Sequence, residues 1–198
     1  ADGHTNIVLN KILHNKIELG KLCIDIIEGI VAHKHLISET HTKNSVPLVG
    51  GKTIKRYGLN AINKYLIWNK NKIHRRRPDY LWDAPLKIII QRISGGEYPL
   101  TATIDTKQYK TFASVNNLLL KDNYSDHYEF ILALINSKVL NWFYANSFSN
   151  NSELTVNISK TFLEKLPIID FKTDKEKYIK KVVSLIMECQ KRNEVSAA

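Results

Sequence analysis

The sequence predicts an α+β fold, with a strand-rich body followed by a long core helix and a C-terminal helix. Between residues 22 and 115, short apolar runs are separated by Gly and Pro, which is typical of strands and turns. From residue 126 onward the apolar residues recur at helical spacing instead. Strands first and helices last indicate an α+β domain. We expect one domain over residues 1–169, with residues 170–198 as a C-terminal helix that packs on it or on another portion of the protein.

The first third of the chain predicts a helix, a bent strand and a loop. Apolar residues recur at near-helical spacing over residues 5–17, and Gly20 ends that pattern. Residues 22–31 are typical of a strand with a bend or bulge at Gly29. The polar residues 33–45 then predict a loop.

Five further strands are predicted in the middle of the chain, followed by two helices. Because residues 88–90 are continuously apolar, we expect a central strand there. Asp126 and Glu129 resemble a capping box at the start of one long helix over residues 126–145. Asn136 and Ser137 are unfavourable inside a helix, so we expect close packing or a backbone hydrogen bond there rather than catalysis. The five strands are predicted at residues 48–49, 65–68, 86–90, 100–104 and 112–115, and the second helix at residues 174–192.

The net charge of +10 lies in a single stretch of the sequence, residues 40–78. This stretch contains ten basic residues and no Asp or Glu, while the 19 other Lys and Arg residues equal the 19 acidic ones. A local positive charge of this kind is typical of a surface that binds nucleic acid, and we favour that interpretation over a solvated basic face. The ten residues are Lys43, Lys52, Lys55, Arg56, Lys64, Lys70, Lys72, Arg75, Arg76 and Arg77.

Different residues of this stretch suit different parts of DNA. Lysines supply affinity through phosphates, whereas Arg can read guanine and Asn can read adenine. For Arg92, and also for Arg56, a structural ion pair with Asp79, Asp83 or Glu97 stays open as an alternative. The phosphate candidates are Lys52, Lys55, Lys64, Lys70 and Lys72, and the base candidates are Arg75, Arg76 and Arg77 with Arg56 and Asn69 or Asn71 behind them.

Several classes of site are not expected in this chain. Cys23 and Cys189 have no zinc-site spacing, and His33 and His35 lack nearby metal-ligand partners, so we expect no metal. No apolar run approaches the roughly 20 residues that cross a bilayer, and the N-terminus is unlike a signal peptide, so we expect a cytoplasmic protein with no membrane partner. Since the chain does not begin with Met, we expect a piece of a longer protein.

Five segments, in this order and spacing, resemble the TaqI-like C-terminal specificity domain family. They are GKTIKRY at residues 51–57, PLKIIIQR at 85–92, ATID at 102–105, YEFILALINSK at 128–138 and ISKTFLEKLPI at 158–168. The resemblance also includes YLIW at residues 65–68 and the Arg-rich turn that follows, between the first two segments. The resemblance extends over residues 19–168, and Thr53 departs from it where the family often has Asp.

This resemblance implies a DNA target-recognition domain of an adenine-specific DNA methyltransferase or a restriction-modification enzyme. Its implied partners are double-stranded DNA and an upstream catalytic domain of the same polypeptide, which would hold S-adenosylmethionine. The implied fold is α+β, similar to the recognition domains of type I specificity subunits. The sequence itself contains neither a GxG loop nor a Pro-Pro pair, so we expect no cofactor and no catalysis in this chain.

Two alternative functions stay open from the residues. Pro78-Asp79 followed by Asp105-Thr106-Lys107 matches the PD…(D/E)xK pattern of metal-dependent nucleases, in which two carboxylates hold Mg²⁺. Asp79 could instead neutralise the arginine turn, and Asp105 could begin a turn. The second alternative is a protein-interaction module whose basic surface binds an acidic partner, and charge alone does not distinguish DNA from RNA.

Overall fold

The structure is a computed structural model that describes residues 3–14, 16–148, 156–169 and 174–195. Its helices are α1 (Gly3–Leu13), α2 (Leu19–Leu22), α3 (Asp79–Asp83), α4 (Tyr128–Ile135), α5 (Lys138–Phe148), α6 (Lys160–Glu164) and α7 (Asp174–Val195). Its strands are β1 (Lys16–Glu18), β2 (Cys23–Glu28), β3 (Ile37–Ser38), β4 (Ser45–Val49), β5 (Ile54–Lys55), β6 (Gly58–Leu59), β7 (Tyr65–Ile67), β8 (Lys87–Gln91), β9 (Ile93–Ser94), β10 (Ala102–Asp105), β11 (Lys110–Thr111), β12 (Val115–Leu120), β13 (Val156–Asn157) and β14 (Pro167–Ile169). The α+β prediction is confirmed.

The main sheet is antiparallel and has the order β10-β8-β12-β2. The expected central strand is β8, which lies between β10 and β12 and contains the fully buried Ile88, Ile89 and Ile90. Because side chains alternate across a strand, Ile88 and Ile90 join the core formed with the helices, and Ile89 faces the opposite side.

A second, smaller sheet covers that opposite side. Its order is β11-β4-β7-β3, with β11 parallel to β4 and the other pairs antiparallel. Leu66 of β7 and Leu81 and Trp82 of α3 form a buried cluster with Leu119 of the main sheet. The chain passes between the two sheets at Gly29, where an added Cβ would lie 2.3 Å from the carbonyl oxygens of Thr111 and Phe112. Only glycine permits this close approach, as the predicted bend suggested.

Two buried asparagines cover the open edge of β10. The side-chain amide of Asn136 accepts a hydrogen bond from Ala102 N and donates one to Ala102 O, both at 3.0 Å. Asn141 accepts a hydrogen bond from Leu100 N at 2.7 Å and donates one to Leu100 O at 3.4 Å. These amides take the place of a further strand, and Ala102 O accepts a second hydrogen bond from Tyr57 N at 3.0 Å.

The same asparagines explain why residues 126–145 do not form the single long helix that the sequence predicted. The helix is interrupted at Asn136 and Ser137, between α4 and α5, and residues 122–127 form a 3-10 turn instead of its first turn. The Ser137 hydroxyl accepts a hydrogen bond from Leu140 N at 3.1 Å, which starts the second helix. The expected backbone hydrogen bond at this place is present.

Other boundaries also differ from the sequence expectations. Residues 16–18 form a strand that pairs with β14, not the end of a helix. The strand expected at 112–115 begins at Val115, and β5, β6 and α3 were not predicted. In α7, Val183 is buried, whereas Tyr178 is 71% exposed and Leu185 is 52% exposed. No helix in the described ranges is long and apolar enough to span a membrane.

We predict that Asn136→Ala lowers the free energy of unfolding by about 1–3 kcal/mol, because Ala102 N loses its hydrogen-bond acceptor while Ala102 O keeps only the bond from Tyr57 N. Urea denaturation measures this change. Asn146→Ala is the matched control, since Asn146 is exposed and only donates to the Trp142 carbonyl within its own helix. Equal losses for both variants would contradict the account of the β10 edge.

Candidate nucleic-acid interface

The loop between β7 and α3 carries most of the predicted site residues. We call residues 69–77 the basic loop. It begins with a compact turn, in which Asn69 Oδ1 accepts a hydrogen bond from Asn71 N at 3.1 Å and Asn69 O accepts one from Lys72 N at 3.0 Å. The buried side chain of Ile73 then anchors the middle of the loop in the cluster beneath the second sheet.

The backbone of the basic loop is held at its C-terminal end as well. Arg75 exchanges backbone hydrogen bonds with Val31, at 3.1 and 3.3 Å. The indole N–H of the buried Trp82 donates to Arg76 O at 2.6 Å. One contact comes from the distant Val31 and the other from Trp82 in the following helix α3, and together they fix the loop against the body of the domain.

The three arginines of the loop point in different directions. Arg75 and Arg76 are exposed, and their side chains make no hydrogen bond or ion pair with the described residues. Arg77 has a φ of 66° and turns inward, where its Nε donates to Gly29 O at 3.0 Å. The exposed side chains of the loop are those of Asn69, Lys70, Asn71, Lys72, His74, Arg75 and Arg76.

Acidic and basic neighbours of the loop meet at the start of α3. Lys70 Nζ lies 3.1 Å from Asp79 Oδ1, and this hydrogen bond, with the nearby charges of Arg76 and Lys110, holds the pKa of Asp79 below its usual value. The alternative that Asp79 neutralises the arginine turn agrees with this arrangement. Both groups are about half exposed, so the pair contributes little to stability.

Lys110 is a basic residue of this surface that the sequence did not reveal. Its Nζ lies 4.6 Å from the ring centroid of Trp68 and 5.3 Å from that of Trp82. Burial, together with the neighbouring charges of Lys87 and Lys70, lowers the pKa of Lys110. Lys110 follows the basic stretch by many residues, and only the pairing of β11 with β4 brings it here.

The remaining predicted residues lie away from the basic loop. Lys64 is exposed just before β7, and Lys52 is exposed in a 3-10 turn. Lys55 and Arg56 are half-buried at the β5–β6 hairpin. Arg56 Nη2 donates to Asn136 O at 2.8 Å and its guanidinium lies 4.3 Å from the Tyr98 ring centroid, so Arg56 has a structural role. That role is not the ion pair that we considered, and DNA contact by Arg56 stays a prediction.

The carboxylates of the nuclease pattern are both engaged by lysines. Asp105 is fully buried, and its Oδ2 lies 2.7 Å from Lys87 Nζ in an ion pair that lacks hydrogen-bond alignment. Its two oxygens also accept hydrogen bonds from the backbone of Lys107 and Tyr109, at 2.7 and 2.9 Å. Asp105 thus organises the turn after β10. In the described part of the chain, no three His, Cys, Asp or Glu side chains are grouped to hold a metal ion.

The sequence of this chain matches a known protein family. Residues 46–168 match the TaqI-like C-terminal specificity domain family, and they make up more than half of the chain. The chain belongs to this family. The matched residues include the whole basic loop, residues 69–77. No curated protein sequence matches the chain.

Two solved structures share the fold of this specificity domain. The HsdS subunit from Thermoanaerobacter tengcongensis superimposes with a TM-score of 0.52 at 13% identity, over 98% of this chain and 46% of that subunit. The type I restriction-modification S subunit from M. genitalium gives a TM-score of 0.50 at 17% identity, over 87% of this chain and 38% of that subunit. The chain thus spans less than half the length of either subunit.

The segments that resemble the family contact each other, and the basic loop lies between the segments at residues 51–57 and 85–92. Arg56, in the segment at residues 51–57, bonds to the carbonyl of Asn136, in the segment at residues 128–138. The latter segment covers β10 through Asn136. The family segments therefore build the scaffold, and the basic loop is a separate surface presented by it.

We predict that Trp82→Phe loosens the basic loop without removing the aromatic side chain from the core. The Arg76 carbonyl loses its indole donor, so the free energy of unfolding falls by about 1–2 kcal/mol. Hydrogen exchange should accelerate at the amides of residues 74–77. Trp142→Phe is the control, because Trp142 is 36% exposed. Unchanged exchange in the loop of Trp82→Phe would show that the indole does not hold it.

Proposed function

We propose that this specificity domain recognises a target sequence in double-stranded DNA with its basic loop. The observation that carries the proposal is the presentation of exposed basic and amide side chains by a backbone that is fixed from below. A rigid support matters because a base contact needs defined geometry, whereas a phosphate contact needs only charge.

Within the loop we assign separate roles to the side-chain types. Lys70 and Lys72 contact phosphates, with Lys64 and Lys110 as neighbours that extend the positive surface. Arg75 and Arg76 contact base edges, because guanine O6 and N7 accept two hydrogen bonds from one guanidinium. The side chains of Asn69 and Asn71 lie in the same turn, where an amide can pair with adenine.

The proposal makes the domain non-catalytic and assigns the chemistry to a partner. Membership of the specificity-domain family and the resemblance to domains of adenine-specific methyltransferases support this division of labour. The partner would be a methyltransferase, on the same polypeptide or as a separate subunit, and would hold S-adenosylmethionine. Its place of action would be the cytoplasm, where bacterial DNA is found.

We expect binding to DNA to weaken steeply with salt. If about six phosphates are contacted, log K falls with log salt concentration at a slope of about −5, because each contact releases condensed counterions. Fluorescence anisotropy with a labelled random duplex, measured at several salt concentrations, gives this slope. A flat salt dependence would argue against a phosphate-binding surface and for the interaction-module alternative.

The roles of Arg75 and Arg76 are tested by replacing both with Gln. We expect Arg75→Gln with Arg76→Gln to weaken binding to a duplex selected by the wild-type domain by about a hundredfold, and binding to a scrambled duplex much less. The control is Lys177→Gln with Lys181→Gln, which removes the same charge from exposed positions on α7.

Three outcomes of this experiment separate the possible functions. Equal weakening on both duplexes would mean that the arginines contact phosphates alone. Equal weakening by the α7 control would place the interface elsewhere. Cleavage of the duplex by the wild type with Mg²⁺, lost in Asp105→Ala, would replace the proposal by the nuclease alternative.

A further inference from the structure

Glu28 contacts two arginines that come from different parts of the sequence. Its Oε2 lies 3.3 Å from Arg77 Nη2 in the basic loop, and its Oε1 lies 3.1 Å from Arg92 Nη2 after β8. Each carboxylate oxygen therefore serves one guanidinium. In the described part of the chain, Glu28 is the only carboxylate within ion-pair distance of either arginine.

The position of Glu28 makes this contact a link between the main sheet and the basic loop. Glu28 ends the edge strand β2, and the next residue is Gly29, whose carbonyl accepts a hydrogen bond from Arg77 Nε at 3.0 Å. Arg92 Nη1 donates to Ala113 O at 3.1 Å, so the same cluster also holds the chain before β12. All three charged side chains are only 21–31% exposed, which makes the cluster stiffer than a surface pair.

The backbone of Arg77 shows that its inward direction is imposed by its surroundings. A residue other than glycine with a φ of 66° is disfavoured and persists where neighbouring contacts determine it. The side chain of Arg77 contacts Gly29 O and Glu28, and the backbone of the two preceding residues is held by Val31 and Trp82. The side chains of the preceding Arg75 and Arg76 are exposed and make no such contacts with the residues that the structure describes.

We propose that Glu28 is a positioning residue for DNA recognition: by pairing with Arg77 and Arg92 together, it withdraws Arg77 from the DNA surface and fixes the direction in which Arg75 and Arg76 meet the bases. This inference rests on the proposed function of the basic loop. It divides the three adjacent arginines into two that contact DNA and one that holds the loop.

The first test needs no DNA. Phenylglyoxal modification of the free domain, followed by mass spectrometry, should label Arg75 and Arg76 faster than Arg77 and Arg92. In Glu28→Gln, which keeps the side-chain shape but removes its charge, Arg77 should become as reactive as Arg75. If Arg77 already reacts as fast as Arg75 in the wild type, the inference is wrong.

The second test compares binding to a selected duplex with binding to a scrambled one. Glu28→Gln should reduce the ratio of the two affinities by about tenfold, the effect of one misplaced base contact. Glu97→Gln is the matched control, because it removes the same charge from an exposed position and should leave the ratio unchanged. Both substitutions remove a negative charge, so their electrostatic effect alone would tighten DNA binding slightly. A reduced affinity ratio for Glu28→Gln therefore cannot come from the change of charge.

A double-mutant cycle distinguishes positioning from a general loss of stability. If Glu28 acts through Arg77, Arg77→Gln alone should reduce the ratio as Glu28→Gln does, and the double variant should show little further loss. Additive losses, or an unchanged ratio in Glu28→Gln, would overturn the inference while the proposed function stands. A wild-type domain that prefers no duplex would overturn the proposed function, and with it the role of Glu28 in DNA recognition.

Discussion

Mutual repulsion of like charges is the constraint on which this structure depends. Ten positive charges lie in residues 40–78 without one acidic residue, so no carboxylate within that stretch can hold them together. The carboxylates that pair with these charges, and the contacts that fix the backbone of the basic loop, come from outside that stretch. The fold provides them through the main-chain pairing of Arg75 with Val31, the indole of Trp82, the carboxylate of Asp79 and the carboxylate of Glu28.

These contacts fix the backbone and leave the charge on the outside. Val31 and Trp82 contact main-chain atoms of the loop and Glu28 contacts its last residue. Among the described residues, the guanidinium groups of Arg75 and Arg76 therefore have no partner. The scaffold that carries the supporting residues is held by its own buried polar contacts, such as those of Asn136 and Asn141 along β10. A stiff scaffold and an exposed basic surface together suit a domain that must present hydrogen-bond donors to DNA at defined positions.

The sequence predicts the features that depend on local pattern. The charge of the basic stretch, the central strand β8 and the unusual role of Asn136 follow from composition, hydrophobic run and helix propensity, because each is a property of adjacent residues. The inward turn of Arg77, the stacking of Arg56 on Tyr98 and the arrival of Lys110 beside Trp68 depend on contacts between distant segments. No local signal marks them. The break between α4 and α5 was only partly predictable. The adjacent Asn136 and Ser137 indicated that a helix is unfavourable at this place, but not that the helix ends there.

The most direct test of the account is to map where DNA touches the domain. A duplex that carries 5-bromouracil can be bound to the wild-type protein and crosslinked by ultraviolet light, and the attached peptides can then be identified by mass spectrometry. The account predicts crosslinks within residues 69–77, with the strongest at Arg75 or Arg76. Crosslinks confined to α7 or to the β5–β6 hairpin would contradict the claim that the basic loop reads DNA.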